Sequence, residues 1–168
     1  MSNFQKIDNA IEEYANAYKK LQELQKEKSY PIPPGDQKTG CIGEYYIYRY
    51  LESLYPNKIE YGHTTQKGWD IKINTEKPIY IQVKTVSAYS KTRTISPIHK
   101  GWNELYLLYL DKKLYPKGFW VIEDSDIFNG KEKLTSKKCP KPNNSNTGSD
   151  LPFGENKIKS LLNKISLN

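Results

Sequence analysis

The chain has 168 residues, with 26 Lys+Arg against 19 Asp+Glu and a net charge of +7. That length supports one domain with a real core, and the basic excess points to an anionic partner, of which nucleic acid is the usual one. No run reaches the roughly 18 apolar residues of a membrane span, the N-terminus lacks an export signal, and Cys41 and Cys139 stand too far apart for zinc or disulfide spacing, so a cytoplasmic protein without membrane association is expected.

In chain order, residues 3–28 read as a long helix. Phe4, Ile7, Ile11, Tyr14, Tyr18 and Leu21 alternate three and four apart, a narrow heptad-like stripe that suits packing on the body or pairing with a second subunit. SYPIPPG, residues 29–35, breaks that helix and forms a stiff linker. Residues 39–55 read as a second helix, with Ile47, Leu51 and Leu54 as an inward stripe. Glu44 falls on the same stripe. A carboxylate there is costly unless it is paired or binds a cation, although acids near a helix N-terminus are also favoured by the macrodipole. A strand follows near Lys58 to His63, then a β-hairpin within residues 68–87. Residues 104–111 and 118–124 read as strands apolar enough to be central, and Asp126 to Asn129 as the start of a turn. Residues 131–150 read as a loop or mobile arm, with five lysines against one Glu as far as Lys141, and residues 154–167 as a short amphipathic helix. The fold class is α/β, a central mixed sheet flanked by helices, with an N-terminal helical extension.

The hairpin is the most informative segment. Strand side chains alternate with period two, so Ile79, Ile81 and Val83 share one face, and Tyr80, Gln82 and Lys84 the other. The register that joins the apolar faces pairs Ile73 with Ile79 and Ile71 with Ile81, around a turn from Asn74 to Pro78. Asp70 then becomes the cross-strand neighbour of Gln82, with Lys84 two residues along. A carboxylate, a carboxamide and an ammonium on one polar edge suit a divalent metal beside a phosphate.

This Asp-x11-Gln-x-Lys arrangement resembles the PD-(D/E)xK nuclease superfamily, which includes restriction endonucleases and Holliday-junction resolvases. The resemblance covers roughly residues 40–125. Trp69 replaces the Pro of the motif, and Gln82 replaces its middle acid, a known variant that removes one negative charge. The superfamily often presents a Glu from its first core helix to the metal, and Glu44 matches that position. The resemblance implies a restriction-endonuclease-like core over 39–125 within a single nuclease domain of residues 1–168, preceded by the helix of 1–30 and followed by a basic loop and helix at 131–168. It implies catalytic roles for Asp70, Gln82, Lys84 and Glu44. Mg²⁺, with Mn²⁺ as a substitute, would be held by Asp70, Glu44 and an oxygen of Gln82 or the Val83 backbone.

Residues 84–100 carry Lys84, Lys91, Arg93 and Lys100 and no acid, with serines and threonines interleaved. Lys91, Arg93, Ser96, His99 and Lys100 are the expected DNA contacts, with Arg93 suited to bidentate guanine recognition. His99 has no metal-binding partner in sequence, since His63 is the only other histidine. The superfamily usually places a helix between the catalytic strand and the next. Here that connection, with Pro97 and Gly101, has little helical periodicity, so the helix is either short or replaced by a recognition loop.

The expected activity is a Mg²⁺-dependent endonuclease on double-stranded DNA, a small type II restriction enzyme acting as a homodimer. No Gly-rich phosphate loop is present, so no nucleotide cofactor is expected. The alternatives are a junction-resolvase-like repair or recombination nuclease, and a DNA-binding module whose site has decayed.

Overall fold

The structure is a computed structural model that describes residues 3–35, 37–63, 65, 68–123, 125–143 and 151–165. Its elements are α1 (Asn3–Lys26), α2 (Lys38–Leu54), β1 (Ile59–Tyr61), β2 (Ile71–Ile73), β3 (Ile79–Ser87), β4 (Ile98–His99), β5 (Glu104–Leu110), β6 (Pro116–Ile122), a 3-10 turn (Ser125–Phe128), β7 (Lys133–Leu134) and α3 (Ile158–Ile165). The fold is mixed α/β, as the alternation of periods predicts. Five strands form one sheet in the order β1-β2-β3-β5-β6, and β4 pairs with β7. β3 runs antiparallel to β2 and parallel to β5, which makes the sheet mixed. Among the described residues no helix is long and apolar enough to cross a membrane.

The hairpin register is the one that the apolar alternation selects: Ile71 pairs with Ile81 and Ile73 with Ile79. One face of the sheet packs α2 and α3 through Ile47, Leu51, Ile71, Ile81, Leu108, Phe119 and Leu161. Arg49 ties the two helices, donating to the carbonyl of Ile165 at 2.6 Å. The other face is covered by the β3–β5 crossover and the chain after β6, through Ile98, Trp102, Leu107, Trp120 and Phe128.

Several sequence expectations change in detail. Leu54 ends its helix 40% exposed, off the buried stripe of Ile47 and Leu51. The apolar stripe of α1 is uncovered over its first half, where Phe4 is 80% and Tyr14 69% exposed, whereas Tyr18 and Leu21 are partly buried near the body. β5 is internal but β6 is an edge strand. Its edge is satisfied by the C-terminal segment: Phe119 N–H donates to Asn156 Oδ1, and Lys157 N–H donates to the carbonyl of Phe119. The crossover contains no helix, only β4 and loop. Residues 131–143 are not merely a loop: β7 pairs with β4, Thr94 bridges Lys138, and Leu134 and Cys139 are buried. Their apolar side chains complete the second core, a demand that lysine-rich composition conceals. Residues 144–150 of the expected arm, and 166–167 of the expected final helix, lie outside the described residues.

Gly43 sets how closely α2 approaches the sheet. A Cβ there would overlap the Thr85 side chain at Oγ1. In an unobstructed helix, Gly→Ala stabilises by about 0.5–1 kcal/mol. Here the added methyl must lift α2 from β3, so Gly43→Ala is expected to reverse that sign and cost about 1–3 kcal/mol. Thermal unfolding checks this, and an unchanged or raised Tm would refute the close-contact argument.

Candidate active site

Three elements deliver Glu44, Asp70 and Lys84 to one place. α2 brings Glu44, one residue after the close contact of Gly43. The residue before β2 is Asp70, and Lys84 lies within β3. They line a cleft of about 470 Å³ with Gly35 of the proline linker and with Thr94 and Ser96 of the crossover. A second lobe, about 220 Å³, shares Glu44 and Asp70 and continues past Tyr61, His63 and Trp69.

Asp70 is fixed by backbone on both sides. Its Oδ2 accepts the N–H of Val83 at 2.7 Å, and its own N–H donates to the carbonyl of Ile81 at 2.8 Å. Its carbonyl accepts the N–H of Gly62 at 2.7 Å. Asp70 therefore leaves the β2–β3 ladder and is not the paired neighbour of Gln82; its carboxylate turns to the Val83 amide instead. The N–H and C=O of a strand residue point to the same side. The Val83 carbonyl thus faces the same open edge as its N–H, beyond the last β2–β3 pair.

The charges are strained by their surroundings. Burial and the nearby Asp70 charge push the Glu44 carboxyl up to about 8, while Lys84 opposes the shift. Burial also raises the Asp70 carboxyl, against the Val83 hydrogen bond and Lys84. Burial pulls the Lys84 ammonium below its ordinary range, against Asp70 and Glu44. The ion pairs found among the described residues lie elsewhere, at Lys100–Glu132 and Lys117–Asp111. Two carboxyls that repel each other in a partly buried cleft present hard oxygen donors to a small cation. With the Val83 carbonyl they fit Mg²⁺, which keeps several waters and needs few protein ligands. They do not form a full protein cage: among the described residues, no three His, Cys, Asp or Glu side chains gather as a metal-binding group.

The other sequence candidates are dispersed. Gln82 is 3% exposed, and its Oε1 accepts the N–H of His99 at 3.2 Å. Its carbonyl oxygen therefore holds β4 against β3. Ser96 lines the cleft. Arg93 adopts φ +53 and donates from one terminal nitrogen to the carbonyl of Cys139 at 3.0 Å, pinning the crossover to the chain after β7. Lys100 pairs with Glu132 at 3.2 Å and borders a separate polar hollow with Trp102 and Asp126. Lys91 is exposed, and the His99 side chain is partly buried.

Sequence reading passed over His63, Trp69 and Thr94, which line the two lobes. A signal for His63 was available. If β1 pairs with β2 as an antiparallel neighbour, the residues just past Tyr61 must fall beside Asp70.

No family model matches the chain, and no curated protein matches it. Among solved structures, a bacterial homing endonuclease, I-Ssp6803I, is similar at 17% identity and a TM-score of 0.37, over 64% of this chain and 81% of that chain.

Proposed function

We propose that this chain is a Mg²⁺-dependent endodeoxyribonuclease that hydrolyses phosphodiester bonds in duplex DNA, in the role of a small type II restriction enzyme. The observation that carries the reading is the convergence of Glu44, Asp70 and Lys84, from three separate elements, in one cleft. The resemblance to the PD-(D/E)xK pattern rests on those positions. A homodimer follows from the chemistry, since a chain this short needs two active sites to cut both strands.

Glu44, Asp70 and the Val83 carbonyl would hold the metal. Bound there, Mg²⁺ supplies polarisation of the phosphate and a more acidic attacking water. Lys84 orients that water, assists its deprotonation and stabilises the charge that develops on the phosphate. Burial lowers the Lys84 pKa against the pull of Asp70 and Glu44, so the neutral amine that can take the water proton is reached more readily than in a free lysine. Gln82 enters as the residue that locks β3 to the crossover, not as a metal ligand, because His99 already engages its carbonyl oxygen.

The basic crossover borders the cleft and offers Lys91 and the hydroxyls of Thr94 and Ser96 to phosphates. Binding to duplex DNA in Ca²⁺ should therefore weaken steeply with salt, with a log–log slope of about −0.9 per phosphate contact. Lys91→Ala should weaken all sequences alike and flatten that slope by about one contact. Salt-independent binding would remove DNA as the partner. Plasmid cleavage with Mg²⁺, on methylated and unmethylated substrate, tests the activity. Wild-type protein that leaves both plasmids intact across Mg²⁺ and Mn²⁺ titrations overturns the reading.

A further inference from the structure

We propose that His63 contacts the leaving-group side of the scissile phosphate, donating a hydrogen bond from Nε2 to the departing sugar oxygen. This rests on the nuclease reading above and adds a residue to its site.

The argument begins with the sheet order. β1, β2 and β3 are neighbours in that order, and Asp70 stands at the start of the middle one. On the β3 side, Val83 N–H bonds the Asp70 carboxylate, and Lys84 follows. On the β1 side, Gly62 N–H bonds the Asp70 carbonyl, and His63 follows. Lys84 and His63 therefore flank Asp70 from opposite strands, whose backbones lie about 10 Å apart at ordinary strand spacing. The cavities repeat this division. One lobe carries Lys84, Thr85, Thr94 and Ser96; the other carries His63, Tyr61 and Trp69; Glu44 and Asp70 belong to both.

Hydrolysis of a phosphodiester is an in-line displacement, with attacking and leaving oxygens on opposite sides of phosphorus. A phosphate centred on the two carboxylates, with its attacking water toward Lys84, directs its leaving oxygen into the lobe of His63. The ring is held for this role. Its Nδ1 accepts the N–H of Thr65 at 3.3 Å and lies 2.9 Å from Thr65 Oγ1. A ring whose Nδ1 is an acceptor carries its proton on Nε2, which leaves Nε2 as a donor. Trp69 forms a wall of the same lobe, its ring close against Gly62 and paired with Tyr80.

The step balances without an added reactant. The water oxygen forms a bond to phosphorus, and its proton passes to the neutral amine of Lys84, which returns it to solvent. The bond from phosphorus to the sugar oxygen breaks, and that oxygen keeps the electron pair. It takes its final proton from solvent. His63 retains its own proton and spreads the developing charge through the hydrogen bond.

The test compares wild type with His63→Ala on two diesters: supercoiled plasmid, whose leaving oxygen is an alkoxide, and bis(4-nitrophenyl) phosphate, whose phenolate leaves unaided. Loss of one such donor should lower plasmid kcat by about 10²-fold or more. Affinity for duplex DNA in Ca²⁺ should stay within about twofold, and the aryl diester rate should fall less than about tenfold. His63→Gln, which keeps an N–H donor, should recover part of the plasmid rate. Where wild type does not turn over the aryl diester, plasmid kcat and Ca²⁺ affinity decide alone. An active wild type with unchanged His63→Ala cleavage, or equal losses on both diesters, overturns this inference and leaves the nuclease reading standing. An inert wild type overturns the reading and this inference with it.

Discussion

Asp70→Asn is expected to abolish plasmid cleavage, with a loss of at least about 10³-fold in kcat, because it removes an anionic oxygen at the centre of the site. The substitution is clean for a structural reason. The Asp70 carboxylate accepts the Val83 N–H, and an asparagine carbonyl oxygen can accept the same bond. The cleft is therefore preserved while the charge is lost. Lys84→Ala should be comparably damaging for a different reason: it deletes the group proposed to orient the attacking water and stabilise the phosphate charge. DNA affinity in Ca²⁺ should survive Lys84→Ala, since Lys91 and other surface cations still neutralise the backbone. The measurement is cleavage across a Mg²⁺ titration, with melting curves to exclude misfolding. Cleavage by either variant at the wild-type rate would remove the proposed mechanism.

Alternation made the centre of the fold legible. The apolar faces of Ile71, Ile73, Ile79 and Ile81 admit one register, and the structure has it. The same rule failed one residue further on. It extends the ladder to pair Asp70 with Gln82, but Asp70 bonds Ile81 and Val83 instead. A pairing rule describes a continuing ladder, and it carries no information about where a strand stops. The helix stripe pointed Glu44 inward correctly, because Ile47 and Leu51 on the same stripe are fully buried. What composition obscured was the second core. Residues 131–143 look like a solvated basic arm, yet Leu134 and Cys139 are buried against the far side of the sheet. Two apolar residues among five lysines make no periodic signal; their burial is dictated by the crossover that they cover. Arg93 has a structural use that the sequence conceals for a related reason. Chemistry favours it as a base reader, but its carbonyl and one guanidinium nitrogen both bond Cys139. Only the distant chain that packs against it reveals that use.

The metal-free protein should lose stability as pH rises from about 4.5 to about 8, and Glu44 is the reason. In the unfolded chain a glutamate releases its proton near its ordinary value of 4.5; in the folded chain burial and Asp70 hold that proton up to about 8. Between those limits the folded state binds more protons than the unfolded one. Stability is then greatest at the acidic end and falls with pH. The shift corresponds to a few kcal/mol at pH 8, on the order of 10 °C in Tm for a domain of this size. Asp70 adds to the decline in the same direction, because its carboxyl is also raised. Lys84, held below its ordinary range, acts oppositely in the alkaline region. The informative quantity is therefore the difference between wild type and Glu44→Gln. Glu44→Gln is neutral at every pH, so it should show a flatter profile and melt higher than wild type at pH 8. It should also lose nearly all cleavage, since one carboxylate then remains for the metal. A divalent cation should reverse the wild-type decline, because it binds the ionised pair in the folded state alone. Ca²⁺ or Mg²⁺ should raise Tm more at pH 8 than at pH 5, and the gain should largely vanish in Glu44→Gln. Thermal unfolding of both proteins across pH, with and without Ca²⁺, reads all of these effects. A wild-type profile as flat as that of Glu44→Gln would show that Glu44 is ionised without a metal. An equal Ca²⁺ gain in both proteins would show that the cation binds elsewhere.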